Sequence, residues 1–546
     1  MENTAQGLAT VDWIIFAVYA LVIVAVGLAA SRRNRESTEG YFLAGKSIPW
    51  WAVGASLIAA NISAEQFIGM SGSGFVIGLG ISAYEWMAAI TLLLVAKYFM
   101  PIFIKQGIYT IPEFVEKRFN KTLKTILAVF WICLYIFVNL SSVLYLGGTA
   151  LEIIMGIPMM YTVIGLAAFA LIYSVYGGLS SVVWTDVIQV AVLVIGGFAT
   201  TYLAVSFVGG DAGFFGGLSH MMEAAPDHFK MILDQSNPQF SNLPGIAVLI
   251  GGMWVANLYY WGFNQYIIQR TFAAKSLDEA QTGLAFAAFL KLITPIIVVL
   301  PGIAAYVILN DPALQQQLVA SFGDLVSNTS TVPSLEHADR AYPWVAQFLP
   351  TGFKGLVFAA LAAAIVSSLA SMLNSTATIF TMDIYRAYID PRASELKLVN
   401  VGRLTAVVAL VIAVFVAPML GVLDQAFQYI QEYTGLVSPG ILAVFLCGLF
   451  WKHTTSKGAI VGVLASIPVA LLLKFLPISM PFMDQMMYTC VLTIATVVFV
   501  SLSTSEKDDA EGSIVLTADT FKTSGGFAVA AYAVIIIVAA LYAIFW

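Results

Sequence analysis

The 546 residues are 60% hydrophobic and only 10% charged, and the mean hydropathy of the chain is +0.88. Because an ordinary soluble domain carries about 25% charged residues, this composition excludes a soluble globular protein. The formal net charge of −6 says little about partners and gives no indication of nucleic-acid binding.

The apolar residues form runs of roughly 20, the length that an α-helix needs to cross a bilayer. We therefore expect an all-α, polytopic membrane protein with fourteen spans. In chain order the predicted spans lie near 12–30, 50–73, 79–104, 124–155, 158–176, 184–207, 244–269, 281–308, 353–382, 399–420, 425–451, 457–476, 484–503 and 525–546. The first run lacks the features of a signal peptide, so we expect it to remain as a helix.

The lysines and arginines predict the orientation of these spans, because cytoplasmic loops are enriched in them. When the N-terminus is placed outside, most of the 25 basic residues fall on the inner side. Examples are Arg32, Arg33 and Arg35, the group between Lys105 and Lys124, and the group between Arg386 and Arg403. Both termini are therefore predicted to lie outside.

The longest connections are predicted to be polar. Two of them, 209–242 and 311–350, lie on the outer side and have the spacing of short surface helices. A third, 503–524, is predicted to be an internal loop. We expect the outer two to be lids without chemistry of their own.

Two spans are interrupted by polar residues and glycine. Span 2 contains ANISAEQFIGMSGSG at 60–74, and span 7 contains LIGGMWVANLYYWGFNQY at 249–266. Unwound backbone at this depth is tolerated only where protein or a watery cavity satisfies it. Its free carbonyls would suit a hard cation such as Na⁺. For 69–74 the alternative is a glycine-rich surface where helices pack.

The spacing of the two interrupted spans predicts inverted repeats. The second half begins on the opposite side of the membrane from the first, so spans 2–6 and 7–11 form the predicted pair. Within one transmembrane domain, 1–546, the repeats would be 47–207 and 243–452, and the peripheral helices 12–30 and 457–546. Paired discontinuous helices indicate a substrate site near the midplane of a secondary transporter.

The sequence argues against an enzyme. The cysteines Cys133, Cys447 and Cys490 fall in or near spans, and the four histidines fall in loops, so neither a disulfide nor a cysteine metal site is indicated. HExxH, GxSxG and Walker A motifs do not occur in the sequence. A membrane zinc protease and an ATP-driven pump are both disfavoured.

Long segments of the chain resemble the solute:sodium symporter family, in particular its sodium/glucose cotransporter branch and the bacterial galactose transporters within it. The matching segments are ASLIAANISAEQFIGMSGSG (55–74), YSVYGGLSSVVWTDVIQ (173–189), NLYYWGFNQYIIQRTFAAKS (257–276) and QYIQEYTGLVSPGILAVFLCGLFWK (428–452). The resemblance implies a LeuT-type inverted repeat of 14 helices in a bacterial inner membrane. It also implies Na⁺-coupled symport of galactose or glucose by alternating access.

The resemblance implies a Na⁺ site between spans 2 and 9. The matching positions are Ala59, Ile62, Ala364, Ser367 and Ser368. The last three share one helical face, since they are spaced i, i+3 and i+4. Hydroxyls of a mid-helix serine pair can instead bond to a carbonyl one turn earlier. The resemblance places Asp186 on the sodium exit path, although an acid near a helix start can also be a cap.

The sugar site implied by the resemblance uses polar groups in apolar helices. Its members are Gln66, Glu85, Asn257, Lys291 and Gln431. Amides suit a sugar because they both donate and accept hydrogen bonds. Ionisable groups inside spans are costly and usually have a partner, so we expect Glu85 and Lys291 to pair in the absence of solute. Glu85 could alternatively reach the outer surface.

The resemblance also implies gates on both sides of the sugar. Tyr260 would stack on the sugar ring and block the inward path, and Asn61 would hold its hydroxyl. Met70, Tyr84 and Phe427 would close the outer side. Ala88 departs from the pattern, because a hydroxyl is expected there in bacterial relatives.

Two other functions remain open from the sequence. One is Na⁺-coupled symport of another small solute, such as a monocarboxylate, proline or sialic acid, on the same fold. The amide-rich set does not favour an anionic solute, which would need an arginine or a bare helix N-terminus. The other is a channel or water pore.

Overall fold

The computed structural model describes residues 8–31, 37–108, 110–323, 331–422, 426–476, 480–504 and 516–546. In these ranges the elements are helical, as predicted, and the only β-type pairing is the isolated bridge between Ile48 and Ala274. Arg32, Arg33 and Arg35, and residues 505–515 of the predicted internal loop, lie outside the described residues.

The helices follow the predicted runs closely. The longer ones are Thr10–Ser31, Trp50–Asn61, Ala83–Leu94, Lys121–Leu134, Ser141–Met155, Met159–Gly209, Gly252–Phe263, Leu277–Asn310, Phe353–Ile379, Glu395–Val416, Ala426–Phe450, Ser456–Phe475, Phe482–Ser503 and Gly525–Ile544. Shorter segments extend or connect them: Thr38–Leu43, Ala44–Lys46, Glu65–Met70, Ser71–Val76, Leu79–Ser82, Val95–Phe99, Met100–Gln106, Ile111–Arg118, Tyr135–Leu140, Gly210–Ala212, Gly213–Ala224, Pro226–Phe229, Ala247–Ile250, Gln265–Phe272, Pro312–Phe322, Ala338–Arg340, Ala341–Val345, Ala346–Phe348, Phe380–Ile389, Ala417–Val422 and Ala518–Phe521.

In the described part of the chain, eleven helices are long and apolar enough to cross a membrane. The other three predicted spans correspond to Met159–Leu171, which is shorter, and to two helices that are interrupted. The predicted outer connections contain the surface helices Gly213–Ala224 and Pro312–Phe322. Predicted spans 5 and 6 are not separated by a loop: they join in Met159–Gly209 at a kink, where Gly178 has φ 56°.

Burial separates a central helix from peripheral ones. In Phe353–Ile389, 94% of the most apolar stretch is buried, whereas the corresponding share is 22% in Gly525–Ile544 and 17% in Thr10–Ala30. The exposed side chains of the N-terminal helix, such as Ile14 and Leu21, are apolar and suit contact with lipid. We call the buried element Phe353–Ile379 the serine helix, because Ser367, Ser368 and Ser371 lie along it.

The first broken helix consists of Trp50–Asn61, a wide turn at Glu65–Met70, and Ser71–Val76. Its interruption lies at 62–64, where Ile62 has φ −76° and ψ 86°. Asn and Ser favour such a break, because their side chains compete for backbone hydrogen bonds. The glycine-rich segment after it is helical: a Cβ at Gly72 or Gly74 would lie 2.8 Å from neighbouring backbone, so this stretch is a packing surface.

The second broken helix consists of Gly252–Phe263 and Gln265–Phe272, with extended backbone at Asn264. A tyrosine from another helix satisfies this interruption. The hydroxyl of Tyr135 donates to Oδ1 of Asn264 at 2.5 Å and accepts from the backbone N–H of Gln265 at 2.9 Å. Tertiary hydrogen bonds therefore stabilise this break, and it is not a frayed helix end.

A short backbone bridge connects the ends of the two broken helices. The N–H of Ile48, just before the first, donates to the carbonyl of Ala273 at 3.1 Å, and the N–H of Lys275 donates to Ile48 at 3.1 Å. The long helix Leu277–Asn310, which we call the Lys291 helix, packs against both Trp50–Asn61 and Ser71–Val76. These contacts connect the two broken helices to each other, and the first of them to the Lys291 helix.

Gly302 allows the Lys291 helix to approach the first broken helix, and substitution there should be costly. A Cβ at this position would lie 2.1 Å from the carbonyl oxygen of Ser71. We expect Gly302→Ala to lower the free energy of unfolding by about 1–3 kcal/mol, because a backbone neighbour cannot yield easily. Thermal unfolding of the detergent-solubilised protein measures the effect.

Gly165→Ala is the matched control, because a Cβ there would meet no atom within 4 Å. We expect this variant to be unchanged or more stable by up to about 1 kcal/mol, since alanine is the better helix former. Equal unfolding temperatures for the two variants would contradict the packing argument.

Candidate functional site

The interruption of the first broken helix frees the two carbonyl groups that were predicted to face a cation. In a regular helix the carbonyls of Ala59 and Ile62 would accept from Ser63 and Gln66. Here the N–H of Ser63 donates to Asn61 at 2.9 Å, and the N–H of Gln66 donates to Ser63 at 3.2 Å. The oxygens of Ala59 and Ile62 thereby lose their helical donors.

The serine helix contacts the first broken helix at this point. The hydroxyl of Ser368 donates to the carbonyl of Ala60 at 3.3 Å, and Ala364, Ser367 and Ser368 are all fully buried. The alternative, in which the hydroxyl of Ser368 bonds to a carbonyl one turn earlier in its own helix, is not observed. The five predicted cation ligands thus come from two helices that are in contact. Ala59 and Ile62 lie at the end of Trp50–Asn61, and the other three lie in Phe353–Ile379.

A buried ionic network lies next to Ser367. Its hydroxyl donates to Asp186, which also accepts from the hydroxyl of Ser56 at 2.5 Å and from Arg270 at 3.3 Å. Arg270 additionally donates to Ser56 at 2.7 Å and to Ser371 at 2.5 Å. The capping interpretation of Asp186 is wrong, because this residue lies in a helix interior and binds side chains of three other segments.

A cavity lies between the two broken helices and Ala426–Phe450. Its lining contains most of the predicted solute and gate residues. Those present are Asn61, Gln66, Tyr84, Glu85, Asn257, Tyr260, Phe427 and Gln431. Lys291 and Met70 are buried behind this lining and are not part of it. Two of the amides also have protein partners: Gln66 accepts from the N–H of Ser63 at 3.4 Å, and Asn257 donates to Met253 at 3.1 Å.

The predicted pair between Glu85 and Lys291 is present in the structure. The ammonium group of Lys291 contacts the carboxylate of Glu85 and also donates to Oδ1 of Asn61. It lies 5.0 Å from the ring centre of Trp261. Since Glu85 is only 3% exposed, the alternative in which it reaches the outer surface is wrong.

The hydroxyl of Tyr260 is held from two sides. Asn61 donates to it through Nδ2 at 3.0 Å, as the gate hypothesis predicts, and the hydroxyl of Tyr266 donates to it at 2.7 Å. Asn61 therefore joins the end of Trp50–Asn61 to both Lys291 and Tyr260. A single amide connects the end of the first helix segment, the buried ion pair and the hydroxyl of Tyr260.

Part of the cavity lining is aromatic. The rings of Tyr84 and Phe427 meet edge to face with centroids 5.2 Å apart. Ala88 lies in the lining, where its methyl group offers no hydrogen bond.

Sequence reasoning missed several lining residues, and three of them carry hydroxyl or carboxyl groups that could contact a solute. Thr434 and Ser438 lie on the helix that carries Gln431, and their buried hydroxyls have no hydrogen-bond partner among the described residues. Their i, i+3 and i+7 spacing from Gln431 could have identified them. Glu65 also lines the cavity, and its position beside Gln66 in the interrupted span was the available signal.

The comparisons with known proteins agree on one family. The family model described as "Sodium:solute symporter family" matches residues 41–466. A sodium/glucose cotransporter of Vibrio parahaemolyticus is 70% identical over 100% of both chains. The sodium/myo-inositol cotransporter 2 of Homo sapiens is 36% identical over 85% of this chain and 70% of its own.

The structural comparison agrees at the level of the fold. A Na⁺-coupled sialic acid symporter in a substrate-bound, outward-open form superimposes with a TM-score of 0.77 at 24% identity, covering 91% of this chain and 98% of that one.

Proposed function

The chain belongs to the sodium:solute symporter family, and from this membership we propose that it couples the entry of a neutral hexose, galactose or glucose, to the sodium gradient. The observation that carries the proposal is the 70% identity, over the full length of both chains, to a relative named sodium/glucose cotransporter. Transport would proceed by alternating access around the cavity between the two broken helices.

We assign Na⁺ to the contact between the first broken helix and the serine helix. The ligands would be the carbonyls of Ala59, Ile62 and Ala364 and the hydroxyls of Ser367 and Ser368. The loss of helical donors at Ala59 and Ile62 supports this assignment. Because these five ligands are neutral, binding would be weak and reversible, as a transported ion requires.

Asp186 would serve the exit of sodium. Its carboxylate accepts from the hydroxyl of Ser367, one of the proposed ligands, and Arg270 balances its charge. When Ser367 turns away from the ion, Asp186 would offer the next oxygen along the path.

Asn61 would couple the ion to the sugar. Na⁺ bound at the end of Trp50–Asn61 would hold this segment against the serine helix, and so position Asn61 against Lys291 and Tyr260. By linkage, each ligand must then raise the affinity for the other by the same factor. The outward-open form would be the one that Na⁺ favours.

The hexose would be held by neutral polar groups over an aromatic surface. Gln66, Asn257 and Gln431 would bond its hydroxyls, Glu85 and Lys291 would add charge-assisted bonds, and the ring would stack on Tyr260. The unpartnered hydroxyls of Thr434 and Ser438 would accept or donate further bonds. Met70, Tyr84 and Phe427 would close the outer side, and Tyr260 would leave its contact with Asn61 for release inward.

The same proposal includes the topology. The eleven apolar helices, the two broken helices and Met159–Leu171 would make fourteen spans. Residues 47–207 and 243–452 would form inverted repeats of the LeuT type. The basic residues support an inner-membrane orientation with both termini periplasmic.

Uptake of radiolabelled galactose and glucose into proteoliposomes tests the proposal. We expect accumulation with an inward sodium gradient and little uptake when potassium replaces sodium. Unlabelled hexoses should compete, whereas proline, a monocarboxylate and sialic acid should not. Competition by one of the latter instead, or uptake that ignores sodium, would contradict the proposal.

A further inference from the structure

Two carboxyl groups line the cavity, and only one of them has a cation beside it in the described part of the chain. Glu65 and Glu85 are the charged residues in the described lining. Lys291 contacts Glu85 from behind the cavity wall, so this pair is neutral overall. Arg270, another buried cation, is bound to Asp186.

Glu65 is buried, and one of its two carboxylate oxygens has no partner within the described ranges. It is 5% exposed, and its Oε1 has no hydrogen-bond partner among the described residues. Among the residues that the structure describes, no lysine, arginine or histidine lies within ion-pair distance of the Glu65 carboxyl group. The phenol groups of Tyr260 and Tyr266 are within electrostatic range, but a neutral phenol cannot balance a carboxylate.

Physical chemistry predicts what such a group requires. An ionised carboxylate removed from water is strongly unfavourable unless a cation or several donors compensate for the lost hydration. A solute that brings its own ammonium group into the cavity supplies both a charge and N–H donors. A solute that brings a second carboxylate supplies no such cation, and its own charge loses hydration in a water-poor space.

We propose that Glu65 determines the charge selectivity of the solute cavity, which would accept amino-hexoses along with neutral hexoses and reject hexuronates. This inference rests on the proposed hexose transport and specifies the substrate class of the same site. The ammonium group would pair with Glu65, while the remaining hydroxyls would use the amides.

Competition experiments on the unaltered protein provide the first test. Sodium-dependent uptake of labelled hexose is measured at neutral pH against 2-amino-2-deoxy and 6-amino-6-deoxy hexoses, their N-acetylated forms and the hexuronate. We expect at least one amine to compete as well as the parent hexose or better, and at least tenfold better than its N-acetylated form. The hexuronate should not compete.

Glu65→Gln and Glu65→Asp provide the second test. The measured quantity is the ratio of amine to neutral-hexose inhibition constants, which does not depend on the absolute uptake rate of each variant. The glutamine variant should lose the amine preference about tenfold, equivalent to about 1.4 kcal/mol, and the aspartate variant should retain most of it.

An unchanged ratio in Glu65→Gln, or equal competition by amine and hexuronate in the unaltered protein, would overturn the inference. If labelled neutral hexose shows no sodium-dependent uptake at all, the proposed function fails instead. The two failures are therefore distinguishable within one data set.

Discussion

Replacing Ser368 by alanine is expected to abolish the stimulation of hexose uptake by sodium at ordinary sodium concentrations. The hydroxyl of Ser368 donates to the carbonyl of Ala60, where the first broken helix stops, and so lies at the contact that we assign to the ion. Removing it deletes one of the proposed oxygen ligands and one connection between the two helices.

The expected size follows from the energy of a polar contact with a charged partner, about 1.5–3 kcal/mol. The sodium concentration that gives half-maximal uptake should therefore rise by a factor of roughly 10 to 150. Uptake as a function of sodium in proteoliposomes measures this directly, and binding of labelled hexose with and without sodium measures the linked loss of affinity.

Ser375→Ala is the matched control. Ser375 lies on the same helix, is equally buried, and donates to Gln269 at 2.8 Å, away from the first broken helix. This variant should lose some thermal stability but keep its sodium dependence. A Ser368→Ala protein with the sodium curve of the unaltered chain would refute the assigned ion site.

Replacing Lys291 by methionine is expected to destabilise the protein by about 3–5 kcal/mol, because it leaves the buried carboxylate of Glu85 without its cation. Lys291 is fully buried and Glu85 is 3% exposed, so little water can reach the carboxylate. The variant also removes the donor to Asn61, and hexose binding should fall together with the unfolding temperature.

A double-mutant cycle separates the pair from the individual residues. Glu85→Gln in the Lys291→Met background removes the unpaired charge, so the double variant should be more stable than Lys291→Met alone. Strictly additive losses would show that the two groups do not stabilise each other.

Lys474→Met is the comparison for a surface pair. Lys474 lies 3.0 Å from Glu432, and the two side chains are 25% and 39% exposed. Its loss should cost at most about 1 kcal/mol, since water screens exposed ion pairs. If the two variants lost similar amounts of unfolding free energy, the result would contradict the role of burial.

The class of protein, the positions of its spans and the location of its interruptions could be predicted from the sequence, because each depends on local composition. A run of about 20 apolar residues must be a helix in a bilayer, since no other local structure satisfies its backbone there. Asn61, Ser63 and Glu65 inside such a run indicate a protected break for the same reason. Glu85 and Lys291 could be singled out because an ionisable group inside a span is costly unless it has a partner.

Partners between distant segments depended on the tertiary structure. The donation of Ser367 to Asp186, the binding of Arg270 to the same carboxylate, and the position of Lys291 behind the cavity wall join residues more than 80 positions apart. No local pattern specifies these contacts, because they depend on how the helices cross and rotate against each other. The absence of a cation beside Glu65, among the described residues, is of the same kind, since only packing determines which of two buried acids meets the available lysine.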